Sequence, residues 1–139
     1  MLLLSILACH GPAHDDGAGG DTGWVEATAQ ETNDGSFYLM YSSDPDPIPF
    51  NEPFATFWMV HDGEDHGRMY DDAELSLVVT MPAHGHGMNT EPQLTADDMG
   101  NIRADGFLFH MRGWWAVEAS ATRDGVTDST TFYVNCCED

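Results

Sequence analysis

The sequence predicts an all-β fold, an immunoglobulin-like antiparallel β-sandwich of roughly seven strands. Three observations predict it. Apolar residues alternate: Phe37-Leu39-Tyr41, Leu75-Leu77-Val79-Met81, Trp115-Val117-Ala119-Ala121 and Thr130-Phe132-Val134 each turn one face inward, as half-buried strands do. No stretch carries the helical period of about 3.6 residues. Turn-forming clusters recur at strand spacing: DPDPIP at 44–49, HDGEDHG at 61–67, PAHGHG at 82–87, DDMGN at 97–101, Arg112-Gly113 and the hairpin-like Arg123-Asp124-Gly125.

Taken in order, the first element is not structural. The run MLLLSILAC ends in small residues before Cys9, which predicts an export signal over residues 1–9. Ile6-Leu7-Ala8-Cys9 resembles a bacterial lipobox, making Cys9 the lipidated first residue of the mature chain; an ordinary cleaved signal or a fortuitous apolar start is the alternative. The run is too short to span a bilayer as a mature helix. Residues 10–34, rich in Gly and Asp and without periodicity, read as a flexible acidic tether. The folded domain is expected over 35–139, with strands at 36–43, 53–61, 74–81, 89–95, 103–111, 113–122 and 127–135. If successive strands alternate in direction, one end of the sandwich receives the 82–88 loop, His110, Met111, Cys136 and Cys137. His61 and His66 then fall at the other end.

A chain of 139 residues, 42% hydrophobic, suffices for a single core. Its 24 Asp and Glu face four arginines (Arg68, Arg103, Arg112, Arg123) and no lysine, for a formal net charge of −20. Nucleic acid is excluded as a partner, and an anionic lipid surface would repel the domain, leaving the lipid anchor as its membrane contact. No Gly-x-Ser-x-Gly elbow, phosphate-binding glycine loop or HExxH helix occurs, and adjacent acidic pairs such as Asp71-Asp72 do not face one another, so no enzymatic activity is expected. Cys136 and Cys137 are adjacent and lack the histidine context of a blue-copper thiolate. Free thiols, a vicinal pair and an intermolecular link all stay open for them.

The chemistry concentrates in MPAHGHGM, residues 81–88. His84, His86 and Met88 are spaced by two, so in an extended segment they project on one side about 6.5–7 Å apart. Gly85 and Gly87 let the backbone curl them onto one ion. A thioether is a poor ligand for Zn²⁺ or Ca²⁺ but suits Cu(I), while imidazole serves either copper state. His110 and Met111 point to opposite faces of a strand, so at most one of them joins easily unless the turn at Arg112-Gly113 twists the pair. The candidate ligands are therefore His84, His86, Met88, His110 and Met111, and the candidate cargo is copper in either oxidation state. A purely structural turn is the competing reading. Met81 continues an inward face, and Met59, Met69 and Met99 read as filler. His61 and His66 read as solvated loop residues, and His10 and His14 as incidental to the tether.

The segments ELSLVVTMPAHGHGM (74–88), GFLFHMRGWWAVEASA (106–121) and DSTTFYV (128–134) resemble the YtkA-like/FixH-like domains of exported bacterial proteins. The resemblance implies a sandwich outside the cytoplasm, in a family whose FixH members are linked to maturation of copper-containing respiratory oxidases. Its motif positions here are Met81, Pro82, His84, His86 and Met88, with His110 and Met111 before Gly113-Trp114. This chain carries no run like the membrane-spanning helix of FixH proteins, so the lipid anchor would substitute only for location. The expectation is a lipid-anchored copper carrier, buffer or assembly factor on the periplasmic or other extracytoplasmic face, serving a copper-dependent envelope protein. The alternative is a metal-free structural or interaction module, with Trp114, Trp115 or Trp58 contributing to a partner surface.

Overall fold

The computed structural model describes residues 23–137; Cys9, His10 and His14 lie outside them. Two antiparallel sheets pack as a β-sandwich. The strands are β1 (Ala29–Glu31), β2 (Phe37–Asp44), β3 (Phe54–Asp62), β4 (Glu74–Met81), β5 (His86–Gly87), β6 (Gln93–Ala96), β7 (Ile102–Phe107), β8 (Gly113–Arg123) and β9 (Val126–Cys136). One sheet runs β1-β2-β3-β7-β6 and the other β5-β4-β8-β9. All seven predicted strands are present, with 89–95 displaced to β6 and 103–111 ending early as β7. Two further short strands, β1 and β5, bring the described total to nine.

Alternation makes the core. Trp58 and Val60 on β3, Val79 and Met81 on β4, Trp115, Val117, Ala119 and Ala121 on β8 and Phe132, Val134 and Cys136 on β9 are all buried. Trp58 meets Phe132 edge to face across the sheets at 5.3 Å. Burying each such large side chain stabilises the fold by about 1.5–3 kcal/mol. Trp58 and Trp115 are 1% and 0% exposed, so neither can serve the partner surface expected of them; burial in the core uses up the faces a partner would touch.

One irregularity determines where the functional end goes. Between Ala55↔Asp105 and Phe54↔Phe107 the β3–β7 register gains a residue, Gly106, at φ +93°. This bulge shifts the alternation, so that Ile102 and Ala104 face inward before it and Phe107 and Phe109 after it. The strand pairing then stops, and His110 and Met111 sit half-buried in a loop rather than on a strand.

Residues 24–34, expected in the tether, belong to the domain. Trp24 stacks on Tyr133 at 4.7 Å, Glu26 bridges to Tyr133 in parallel, and β1 pairs with β2. Gln30 Nε2 donates to Thr130 Oγ1 and the Thr131 carbonyl, each at 2.7 Å, tying β1 to the other sheet. Asp128, only 6% exposed, accepts from the Thr32 hydroxyl and from the amides of Asp34, Ser36 and Ser129. Burial alone would push its carboxyl up; the Thr32 hydroxyl and the three amides outweigh burial and hold it below the usual range.

Candidate metal centre

The 81–88 loop is closed by its own backbone. Met81 is buried, and its carbonyl accepts the amides of both His84 and Gly85 at 3.0 Å. Gly85 takes φ +63°, which a side chain would resist. The chain then returns as β5, pairing Met81↔His86 and Thr80↔Gly87 with β4. Gly87 is needed for that approach: a Cβ there would lie 2.9 Å from the Val79 carbonyl oxygen.

On its other side, the segment leaving β5 runs along the end of β7. Thr90 Oγ1 donates to the Gly106 carbonyl at 2.6 Å, Met88 Sδ accepts the Leu108 amide at 3.4 Å, and the rings of His86 and His110 are 5.4 Å apart between centroids. Each step of two residues along one segment matches a step of two back along the other, the relation of antiparallel neighbours. His86 and His110 are therefore cross-chain partners. His84 follows on the solvent side, its ring 5.7 Å from that of His86, and it is exposed while His86 and His110 are half-buried.

The structure thus gathers His84, His86 and His110 at one end, while Met88, two residues on from His86, packs against the core with its sulfur accepting the Leu108 amide. Met111 packs on the core likewise, and its carbonyl accepts the Trp115 indole N–H at 3.0 Å. His61 and His66 lie at the opposite end, since β3 has Phe54 beside Phe107 at its start and Asp62 beside Phe37 at its finish. There His66 is not simply solvated: it stacks on Tyr38 at 3.8 Å and reaches Glu31 at 3.3 Å. Both ring nitrogens of His61 are buried without a hydrogen-bond partner among the described residues.

Two of the separations among these imidazoles match what two rings on one ion would show. Metal–imidazole bonds of about 2 Å put each ring centre about 3.2 Å from the metal, so two rings on one ion are about 4.5–6.4 Å apart, from right-angled to linear. Centroid separations of 5.4 and 5.7 Å fall inside that range. Among the described residues no three His, Cys, Asp or Glu side chains are already converged as a metal-holding group, so rings must turn for all three to bind. His86 Nδ1 lies 2.9 Å from the Gly87 carbonyl. A carbonyl only accepts, so Nδ1 carries the proton and the neutral ring presents an Nε2 lone pair. His110 Nδ1 is buried with no hydrogen-bond partner among the described residues, a position that a metal bond would satisfy.

Trp115 joins this end without any sequence pattern that marks it for that place. Its indole lies 6.0 Å from His86 and 5.5 Å from His110, with interplanar angles of 70° to both. The inward alternation of β8 signalled its burial, but nothing local signalled its neighbours. Cys136 and Cys137 are joined to each other in a vicinal disulfide, so neither offers a free thiolate. Compared with family models, curated proteins and solved structures, the chain has no match.

Proposed function

We propose that this is an exported, lipid-anchored, copper-binding protein that acts as carrier, buffer or assembly factor at the cell envelope. One observation carries the reading: residues remote in sequence, His86 and His110, meet with their rings 5.4 Å apart, with the His84 ring 5.7 Å from that of His86. Imidazole with thioether is a donor set for copper before zinc. The exposed His84 and the shallow, loop-borne position suit ligand exchange with a partner rather than permanent retention. The two-sheet β-sandwich, the resemblance to YtkA-like/FixH-like domains and the lipobox-like run ending at Cys9 support the location and the class.

Native mass spectrometry after addition of Cu(I) or Cu(II) tests the metal. The expected result is one retained copper per chain, lost in the His84→Ala/His86→Ala variant; parent protein that retains none sinks the reading. The anchor is tested separately in a bacterium expressing the full chain. The parent should enter the detergent phase and Cys9→Ala should not; equal partitioning of the two would remove the lipid anchor.

A further inference from the structure

We propose that residues 24–33 are a strap sealing the free edge of β9, and that this edge is an interaction surface whose occupant, when the strap is displaced, is β9 of a second copy paired antiparallel. Neither part depends on copper.

β9 is the long edge of the described sandwich. It ends its sheet and runs eleven residues, Val126–Cys136, against three for β1, two for β5 and four for β6, the other strands at sheet edges. An uncovered edge of that length is a template for another strand. In an antiparallel ladder, alternate residues turn both backbone groups away from the partner strand. On β9 these are Ser129, Thr131, Tyr133 and Asn135, and the strap meets each of them. The Asn33 amide donates to the Ser129 carbonyl at 2.8 Å and Gln30 Nε2 to the Thr131 carbonyl at 2.7 Å. Glu26 bridges to Tyr133 by its backbone, and its Oε1 accepts the Asn135 amide at 2.6 Å.

The strap belongs to the other sheet and reaches β9 largely through side chains. β1 pairs with β2 in the register Gln30↔Leu39, so Gln30 stands in the inward row, where Leu39 is buried and the period of two calls for an apolar residue. The edge accounts for the polar choice: the Gln30 amide nitrogen is spent on β9, on the Thr130 hydroxyl and the Thr131 carbonyl. Side-chain caps hold an edge less firmly than a neighbouring strand, which exchanges both N–H and C=O with every outward residue. A second β9 would do so. Two identical edges paired antiparallel are self-complementary, each offering the groups that the other needs. The chain carries a net charge of −20, yet β9 holds a single acidic residue, Asp128. Pairing centred on Thr131 sets Asp128 opposite Val134 of the second copy and the two Asp128 carboxylates about 20 Å apart along the strands. That exceeds the screening length of about 8 Å at physiological salt.

The test follows the mass of the full chain by light scattering, with Cys9→Ala in every sample so that no lipid drives association. Glu26→Ala/Gln30→Leu removes both side-chain caps while leucine fills the inward position. It should dimerise with an association constant at least about tenfold above that of the parent. Adding Thr131→Pro should return it to the monomer, since proline is tolerated on an edge where its nitrogen faces away from the neighbouring strand and offers an incoming strand no donor. In dimers mixed from labelled and unlabelled protein, isotope-filtered NMR should connect β9 to β9. If near-ultraviolet circular dichroism shows the double variant unfolded, Gln30→Leu alone decides; if the proline variant is unfolded, the NMR contacts decide. A strap variant that folds and associates no more than the parent overturns the proposal. So does a dimer that survives Thr131→Pro, or one whose contacts between copies lie outside β9.

Discussion

Replacing Asp128 with alanine should cost the domain about 3 kcal/mol, although the residue is far from the end that carries His84, His86 and His110. Its carboxylate takes the Thr32 hydroxyl at 2.5 Å and the amides of Asp34, Ser36 and Ser129 at 3.0, 3.2 and 2.9 Å. Not all four losses count equally. The Thr32 hydroxyl keeps a second acceptor, the Phe37 carbonyl at 3.2 Å, and Asp34 is exposed enough for water to replace the carboxylate. The amides of Ser36 and Ser129 belong to half-buried residues and lose a charged acceptor with no protein substitute. At about 1.5 kcal/mol for each hydrogen bond to a charged group, those two give the total. For a domain of this size that is a fall in Tm of roughly 10–15 °C. Asp128→Asn, which keeps one carbonyl acceptor, should fall between alanine and the parent. Thermal melts at pH 7 by near-ultraviolet circular dichroism measure both. A loss below about 1 kcal/mol for the alanine variant would refute the view that this carboxylate fastens the 32–36 turn to β9.

Acid should weaken the fold through depressed carboxyls. The Tyr70 hydroxyl, and then the amides of Asp65 and Glu64, hold Asp62 down to about 2, and Asp128 is held low as described. A carboxyl lowered in the folded state stabilises it above the unfolded value of about 3.9, and that contribution disappears as pH falls through the folded value. The Tm should therefore drop between about pH 4 and 2, and Asp62→Asn should flatten the drop; a parent Tm independent of pH there would contradict it. The loop glycines should separate in their effects. Gly87→Ala puts a Cβ 2.9 Å from the Val79 carbonyl, so β5 must lift from β4 and carry His86 away from His110. Stability should fall by about 1–2 kcal/mol and copper affinity with it. Gly85→Ala meets nothing within 4 Å and costs only its positive φ, about 1 kcal/mol, with affinity nearly kept. Melts and competition titrations against a Cu(I) chelator check the pair, and parental affinity in Gly87→Ala would count against β5 as the support of the site.

The alternation of Leu75, Leu77, Val79 and Met81, of Trp115 through Ala121, and of Thr130, Phe132 and Val134 was enough to read a two-sheet β fold, because a strand's two faces are a property of the chain itself. The same is true of the Arg123-Asp124-Gly125 turn, which joins β8 to β9 through Arg123↔Val126. His-x-His-x-Met was likewise visible as a donor pattern, since ligand chemistry belongs to residue type. Other features needed the folded chain. β1 exists because β2 and β9 lie where residues 24–31 can reach them, and a three-residue strand has too little pattern of its own to announce that. β5 exists because the 81–85 turn delivers two residues to the free edge of β4. The meeting of His86 with His110, and of both with Trp115, depends on the extra residue at Gly106, which changes the phase of β7 and turns Phe107 and Phe109 into the core. Which strands become neighbours, and in what register, is decided by packing two sheets face to face around shared aromatic side chains. That is a sum over contacts distant in sequence, so which of His84, His86, Met88, His110 and Met111 meet is decided by tertiary structure even though each can be named from the sequence.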